Sequence, residues 1–352
     1  MSDPSGTAEQ APIRTETPEH VTTAPRDSTQ PGRGIGDRLR VELQKSGKAW
    51  LFVSPVLLAL AVVIGYPVVR AVWMSVHPDD RLDDVTGLFV ADHSFTFYNY
   101  AHWLLGQCQM ITGGTTSCPT GNLGSQFWTA TGVTLFFTVV TVSLEVLIGL
   151  GMAMVMGKTF AGRALLRAAV LIPWAIPTAV TARLWEFMFQ YDGVVNRVLG
   201  TGILWTTDEW PARIAVITAD VWKTAPFMAL LLLAGLQAIP NDVYEAARVD
   251  GASAWQRFTQ ITLPLLKPAL LVAVLFRTMD ALRMYDLPAI MTGNNPATRT
   301  LSVLVVEQTR QGPNSAAALS TITFLVIFAA AFVLVKILGA NAVRTQEEQR
   351  KA

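Results

Sequence analysis

The sequence predicts an all-α membrane protein with six transmembrane helices. Of its 352 residues, 51% are hydrophobic and 15% are charged, and the mean hydropathy is +0.38. Apolar stretches of about 20 residues or more, long enough to cross a bilayer, recur along the chain. The segments between them alternate between basic and poor in lysine and arginine, which is typical of inner and outer loops. This composition excludes a soluble globular domain, and the formal net charge of +1 gives no indication of a nucleic-acid partner.

The chain divides into a tail, a membrane domain and a second tail. Residues 1–48 have few large apolar side chains, so we expect a disordered cytoplasmic tail that is not a signal peptide. Residues 49–340 form the transmembrane domain, and residues 341–352 form a cytoplasmic C-terminal tail, so both termini are expected inside. The predicted spans cover approximately residues 49–76, 127–156, 164–189, 212–238, 264–291 and 316–338.

The loop 77–126 contains the only two cysteines of the chain, Cys108 and Cys118. It has one basic residue and five aspartates, so we place it outside the membrane. In an oxidising compartment a disulfide is the simplest interpretation, and it would contribute about 2–3 kcal/mol in the chain-entropy model. A zinc site with His77, His93 or His102 is the alternative, but the spacing matches no ligand motif and we predict no metal.

The second span contains a single charged residue, Glu145. A lone carboxylate at membrane depth is a candidate functional group, and a helix-packing acceptor is the alternative. The run from Gly151 to Thr159 has the form G-x5-GKT, which is one residue too long for a phosphate-binding loop and follows a helix instead of a strand. We therefore predict that this chain does not bind ATP.

Two later spans contain charged residues at helical spacing. The fourth span places Asp220, Lys223, Thr224 and Phe227 on one face, which predicts a cavity lining; an ion pair that only packs helices is the alternative. The fifth span has four charges of alternating sign at steps of three, which predicts a pairing ladder along the helix. These four residues are Arg277, Asp280, Arg283 and Asp286.

A polar loop, 239–263, separates the fourth and fifth spans and is predicted to be cytoplasmic. Asp242 and Glu245 predict a capping box at the start of a short helix. Gly251 predicts the end of that helix. Pro264 suits the first turn of the membrane helix that follows.

Three runs in this loop resemble the EAA loop of ABC-importer permeases. They are EAA at Glu245 to Ala247, DGA at Asp250 to Ala252, and ITLP at Ile261 to Pro264. From about residue 49 to 340 the chain resembles a type I ABC-importer permease of the maltose-type carbohydrate uptake family. The runs LIPWAIP and FRTMDALRMYD support the same resemblance, whereas MTGNNP departs from the more usual glycine-rich form.

The resemblance implies roles for two sets of residues. In that family the EAA loop is a coupling helix that docks on an ATPase, and the matching positions here are Glu245, Ala246, Ala247, Asp250 and Gly251. Sugar contacts of the maltose-type permease fall on Asp220, Lys223, Thr224, Phe227, Arg277, Ala281 and Met284. Arg277 and Met284 differ from the small polar residues expected at their positions.

The resemblance also implies an assembly in the bacterial plasma membrane, surrounded by lipid. Its other members would be a second homologous permease, a dimer of ATPase subunits and an extracytoplasmic sugar-binding protein or lipoprotein. ATP and Mg would bind to the ATPase, so this chain would hold no cofactor and catalyse no reaction.

The expected function is import of a disaccharide, trehalose or a related α-glucoside. Two alternatives stay open on the residues alone. One is the same importer for an anion such as glycerol phosphate, bound by Arg277 and Lys223. The other is a proton-driven secondary transporter that uses Glu145, Asp220 and Asp280.

Overall fold

A computed structural model describes residues 50–82, 87–90, 94–109, 114–293 and 295–351. The predicted tail 1–48 and His93 lie outside these ranges. The chain divides into two compact units at Gly65. In the first unit the described residues, 50–64, are helical and belong to the apolar span Trp50–Ser75. A π-helical turn, Ala61–Gly65, falls at the boundary of the two units.

The second unit is helical apart from two small antiparallel hairpins, β1 with β2 and β3 with β4. The strands are β1 (Arg81–Leu82), β2 (Phe89–Val90), β3 (Gln107–Gln109) and β4 (Thr115–Ser117). The helices are α1 (Tyr66–Ser75), α2 (Tyr98–Leu105), α3 (Phe127–Gly157), α4 (Arg163–Ala175), α5 (Thr178–Met188), α6 (Val194–Leu199), α7 (Glu209–Gln237), α8 (Asn241–Val249), α9 (Ala254–Arg257), α10 (Leu263–Ala281), α11 (Asp286–Met291), α12 (Leu301–Thr309) and α13 (Pro313–Lys351).

Within the described residues, five helical segments are long and apolar enough to cross a membrane. The pair α4 and α5 gives a sixth span if it is counted as one, although its two halves meet at 90°. The break falls between Pro173 and Pro177, where the sequence predicts an interrupted helix, because proline lacks the amide that continues the helical hydrogen bonds. The all-α membrane fold is therefore confirmed, with the third span sharply bent.

The fifth span differs from its predicted bounds at both ends. It begins at Ala254 and passes through a π-helical turn, Phe258–Thr262. This turn lies just before Pro264, which has no amide to donate, so the regular hydrogen-bond pattern is interrupted there. It ends at Ala281, and a separate short helix, α11, begins at Asp286. Pro288 explains this second break, since its ring would clash inside a continuous helix but fits the first turn of α11.

The most extensive packing between helices is that of α3 against α7, and α7 also packs against α10. A side chain added at Gly149 of α3 would lie 2.7 Å from Met228 of α7. One added at Gly235 of α7 would lie 2.8 Å from Leu266 of α10. Small residues allow helices to approach this closely. In lipid, helices gain no hydrophobic free energy by associating, so the van der Waals contacts of such close packing help to drive association.

The segment 77–126 is held together by a disulfide and one buried aromatic side chain. Cys108 and Cys118 are bonded, with their Cα atoms 4.9 Å apart. His102 lies beside the disulfide, where burial lowers the pKa of the imidazole, and Nδ1 is 2.8 Å from the Gln107 carbonyl oxygen. Trp103 is fully buried and donates a hydrogen bond from Nε1 to Ser315 O at 3.0 Å, which fixes α2 against α13.

Candidate functional site

A polar cavity of about 240 Å³ lies among the helices that the sequence predicts to cross the membrane. It is formed by α5, α7, α10, α11 and the turn between the last two. Its lining residues are Thr178, Asp220, Lys223, Thr224, Arg277, Asp280, Arg283, Met284, Tyr285, Asp286 and Leu287.

One wall of the cavity is an ion cluster centred on Arg277. Its guanidinium donates from Nε to Glu145 Oε2 at 2.5 Å and from Nη2 to Glu145 Oε1 at 3.0 Å. Nη2 also donates to Asp220 Oδ2, and Nη1 donates to Asp280 Oδ2 at 2.9 Å. The side chains of Arg277 and Glu145 are 2% and 0% exposed. The cluster therefore joins α3, α7 and α10 inside the helix bundle.

Desolvation explains why these charges occur together. Each charge at membrane depth costs at least ~2.5 kcal/mol, so an isolated one is strongly unfavourable. A guanidinium bound by both oxygens of one carboxylate is among the strongest hydrogen-bonded ion pairs. Glu145, which the sequence left undecided between functional group and packing acceptor, is thus the two-oxygen acceptor for Arg277.

Two neighbours on α7 complete the polar contacts. Lys223 Nζ donates to Ile176 O at 2.6 Å, at the 90° break between α4 and α5, where helix-end carbonyls lack backbone partners. Thr224 Oγ1 lies 2.6 Å from Glu145 Oε1 and 2.6 Å from Asp220 O, and its single proton serves one of them. Both cations that the anion hypothesis requires, Arg277 and Lys223, are therefore already bound by groups of this chain.

The structure brings together five of the seven residues carried over as sugar contacts. Asp220, Lys223, Thr224, Arg277 and Met284 line the cavity. Two of the seven lie outside that lining. Ala281 is buried, and Phe227 stacks on Trp174 with ring centroids 5.6 Å apart and an interplanar angle of 14°.

Asp280 and Tyr285 also line the cavity, although the sequence gave them no binding role there. The alternating charges from Arg277 to Asp286 were the one feature of the sequence that could have indicated a cavity position for Asp280. The predicted ladder is wrong beyond this first pair, because α10 ends at Ala281 and Arg283 and Asp286 follow the break. The signal that could have located the break is Pro288.

The predicted coupling segment is a short surface helix, α8, in which no residue is buried. Gly251 has φ of +78°, and the Ala252 amide donates to Ala247 O at 2.9 Å, which closes the helix as predicted. Glu245 and Ala246 are exposed. This surface is available to another protein, because the chain's own core does not use it.

The predicted capping box of α8 is wrong in position. Pro240 precedes the helix in extended conformation and supplies no side-chain acceptor, so the helix begins at Asn241 and Asp242 lies inside its first turn. The capping box occurs one helix later. Ser253 Oγ accepts from the Gln256 amide at 3.3 Å, and Gln256 Oε1 accepts from the Ser253 amide at 2.7 Å.

One hydrogen bond connects the surface helix to the membrane helix that follows. Tyr244 Oη and Thr262 Oγ1 are 3.1 Å apart, and Thr262 is the last residue of the π-helical turn. This contact joins α8 to the residue that directly precedes α10, the helix that holds Arg277.

Comparison with known proteins gives one family match. Residues 145–346 match the model of binding-protein-dependent transport system inner membrane components. The match includes Glu145, the cavity lining and the surface helix.

Three curated relatives cover most of the chain. It is 39% identical to the trehalose/maltose transport system permease protein MalF of Thermococcus litoralis, over 85% of this chain and 96% of that protein. It is 36% identical to the trehalose transport system permease protein SugA of Mycobacterium tuberculosis, over 84% of this chain and 89% of that protein. It is also 36% identical to the sulfoquinovosyl glycerol transport system permease protein SmoG of Agrobacterium fabrum, over 76% of this chain and 79% of that protein.

A solved structure shares the fold. A chain of a bacterial alginate ABC transporter, crystallised with an alginate pentasaccharide-bound periplasmic protein, aligns with a TM-score of 0.68 at 19% identity. The alignment covers 88% of this chain and 98% of that chain.

Proposed function

We propose that this chain, which belongs to the family of binding-protein-dependent transport system inner membrane components, is the permease of an importer for an uncharged disaccharide. Trehalose is the first candidate, since two relatives covering more than four fifths of the chain are named for it. The relative named for sulfoquinovosyl glycerol shows that overall identity does not decide the substrate.

The observation that supports a sugar path best is the polar cavity between α5, α7, α10 and α11. It offers hydroxyl, carboxylate and ammonium groups in a bundle that is otherwise apolar, as a ligand with many hydroxyl groups requires. Its volume of about 240 Å³ is below the roughly 300–1,000 Å³ of typical ligand sites, so one chain supplies part of the site. A second homologous permease would supply the remainder.

The geometry favours an uncharged sugar over an anion such as glycerol phosphate. The anion hypothesis relies on Arg277 and Lys223, and an anion at either would have to displace the carboxylates from Arg277 or compete with the Ile176 carbonyl for Lys223. Leaving a buried carboxylate unpaired costs several kcal/mol, of order 3–5. A sugar hydroxyl needs no such exchange.

Coupling to ATP would pass through α8. In our proposal an ATPase subunit binds the exposed face at Glu245 and Ala246, and its closure moves α8. The Tyr244–Thr262 contact then transmits this motion to α10 and to the cavity. An external binding protein delivers the sugar, both termini of this chain lie in the cytoplasm, and ATP is hydrolysed by the partner.

The test of this function starts with isolation of the chain from its native membrane in mild detergent. We expect recovery of a second permease and an ATPase, and stimulation of ATP hydrolysis by trehalose with its binding protein. Recovery of the chain alone, without any ATPase, would contradict the proposal.

Two substitutions test the coupling helix. Glu245→Lys and Gly251→Pro should abolish uptake in proteoliposomes while the chain remains in the membrane and the binding protein still binds sugar. Glu209→Lys is the control, a charge reversal at an exposed carboxylate of α7 outside the cavity and the loop. Wild-type uptake in either loop variant would overturn the coupling role.

A further inference from the structure

We propose that Asp280 sets the charge selectivity of the cavity, so that uncharged sugars enter and anionic ones are repelled. This inference takes one premise from the proposed function, namely that the ligand is a sugar. It assigns a specificity-determining role to a residue that the sequence placed in a structural ladder.

Exposure distinguishes Asp280 from the other members of the ion cluster. Its side chain is 73% exposed, whereas those of Arg277, Glu145 and Asp220 are 2%, 0% and 6% exposed. Asp280 also lines the cavity. An entering ligand therefore meets the carboxylate of Asp280, although an arginine lies at the centre of the cluster.

The carboxylates in and behind the cavity wall outnumber the cations by one. The carboxylates are the three lining residues Asp220, Asp280 and Asp286 with Glu145 behind them, and the cations are Lys223, Arg277 and Arg283. The lining residues alone are balanced, three carboxylates against three cations, and Glu145 behind the wall adds a fourth negative group. Two of the cations are already engaged by this chain, Arg277 by three carboxylates and Lys223 by the Ile176 carbonyl.

Asp280 has the chemistry to bind a sugar directly. Its contact with Arg277 Nη1 uses Oδ2, and no hydrogen bond within residues 114–293 uses Oδ1. A carboxylate oxygen accepts from a hydroxyl in a short, charge-assisted hydrogen bond. The same oxygen repels a phosphate or sulfonate, because like charges within a few ångström interact by several kcal/mol at the dielectric of a partly buried site.

The experiment compares trehalose with trehalose 6-phosphate, which differ by one anionic group. Binding is measured as the ligand-dependent rise in the thermal unfolding midpoint of the assembled importer, without the external binding protein. This removes the selectivity of the binding protein from the result. The variants are Asp280→Asn and a matched control, Glu209→Gln, because Glu209 is also exposed, at 62%, and also pairs with an arginine of its own helix, at 3.0 Å.

We expect the wild type and Glu209→Gln to bind trehalose at least about 10-fold more tightly than its phosphate. In Asp280→Asn this ratio should fall to about 3-fold or less, mainly because the phosphate binds more tightly. Because Asp280 is exposed, the asparagine variant retains the buried pairs of Arg277 with Glu145 and Asp220, and its midpoint without ligand should be unchanged.

Two results would overturn the inference. One is equal binding of the two ligands by the wild type, and the other is an unchanged ratio in Asp280→Asn. If trehalose does not bind but another neutral disaccharide stimulates the ATPase, trehalose is wrong as the substrate. Binding is then compared between that sugar and its phosphate ester. Equal binding by the wild type, or an unchanged ratio in Asp280→Asn, would again overturn the role of Asp280.

Discussion

The ion cluster and the α8 loop are both polar, but their side chains are held in opposite ways. In the cluster, Arg277 pairs with carboxylates 132 and 57 residues away in the chain, and all three side chains are at most 6% exposed. In the loop, α8 has no buried residue, and its end is closed by hydrogen bonds between residues up to five positions apart. The cluster groups satisfy one another, whereas the loop leaves its groups exposed at the surface.

This difference predicts opposite consequences of substitution. A change in the cluster should first affect stability, because unpaired charges remain inside the bundle. A change on the exposed face of α8 should first affect coupling, because no core contact is lost. The coupling side of this contrast is tested by Glu245→Lys and Gly251→Pro, and three further substitutions test the stability side, in order of expected effect.

Arg277→Met should have the largest effect, a loss of about 3–5 kcal/mol, because it leaves Glu145 and Asp220 buried without a cation. We expect little folded chain in the membrane, measured by fluorescence-detected size exclusion and thermal unfolding. The triple variant Glu145→Gln/Asp220→Asn/Arg277→Met should recover much of the loss, since no unpaired charge remains. Normal accumulation of the single variant would show that the pairing does not hold the bundle together.

Gly149→Ala should destabilise the contact between α3 and α7 by about 1–3 kcal/mol, because the new methyl group would lie 2.7 Å from Met228 Cγ and 3.1 Å from the Ala229 amide nitrogen. Gly151→Ala is the matched control two residues along the same helix, where a methyl group meets no atom within 4 Å. Its effect should be neutral or stabilising, by up to ~1 kcal/mol, because alanine favours the helix. Equal unfolding midpoints for the two variants would contradict close packing at Gly149.

Ser253→Ala should have the smallest effect, about 1 kcal/mol, confined to the start of α9 where the capping box lies. Hydrogen exchange of the amides of α9 measures it locally. Asp242→Ala is the comparison, and its effect on α8 should stay within about 0.5 kcal/mol, because its side chain caps no amide. A larger effect at Asp242 than at Ser253 would restore the capping box that the sequence predicted.

Local signals in the sequence located the end of α8 and the bend of the third span. Gly251 marked the end of α8 because its positive φ is accessible mainly to glycine. Pro173 and Pro177 marked the bend of the third span, since a missing amide acts at its own position in the chain. The capping box was misplaced because Asp242 and Ser253 both fit the same short pattern, and the backbone at Pro240 decided between them.

The sequence by itself determined that this chain is a helical membrane protein with a short helix between its fourth and fifth spans, because hydropathy, glycine and proline act over a few neighbouring residues. It also selected Asp220, Lys223 and Arg277 as residues of interest, since charges in apolar spans are costly wherever they occur. Only the tertiary structure decided that Glu145 binds Arg277 and that Asp280 faces the cavity. Pairing and exposure depend on how three separate helices pack, and no spacing within one helix encodes that arrangement.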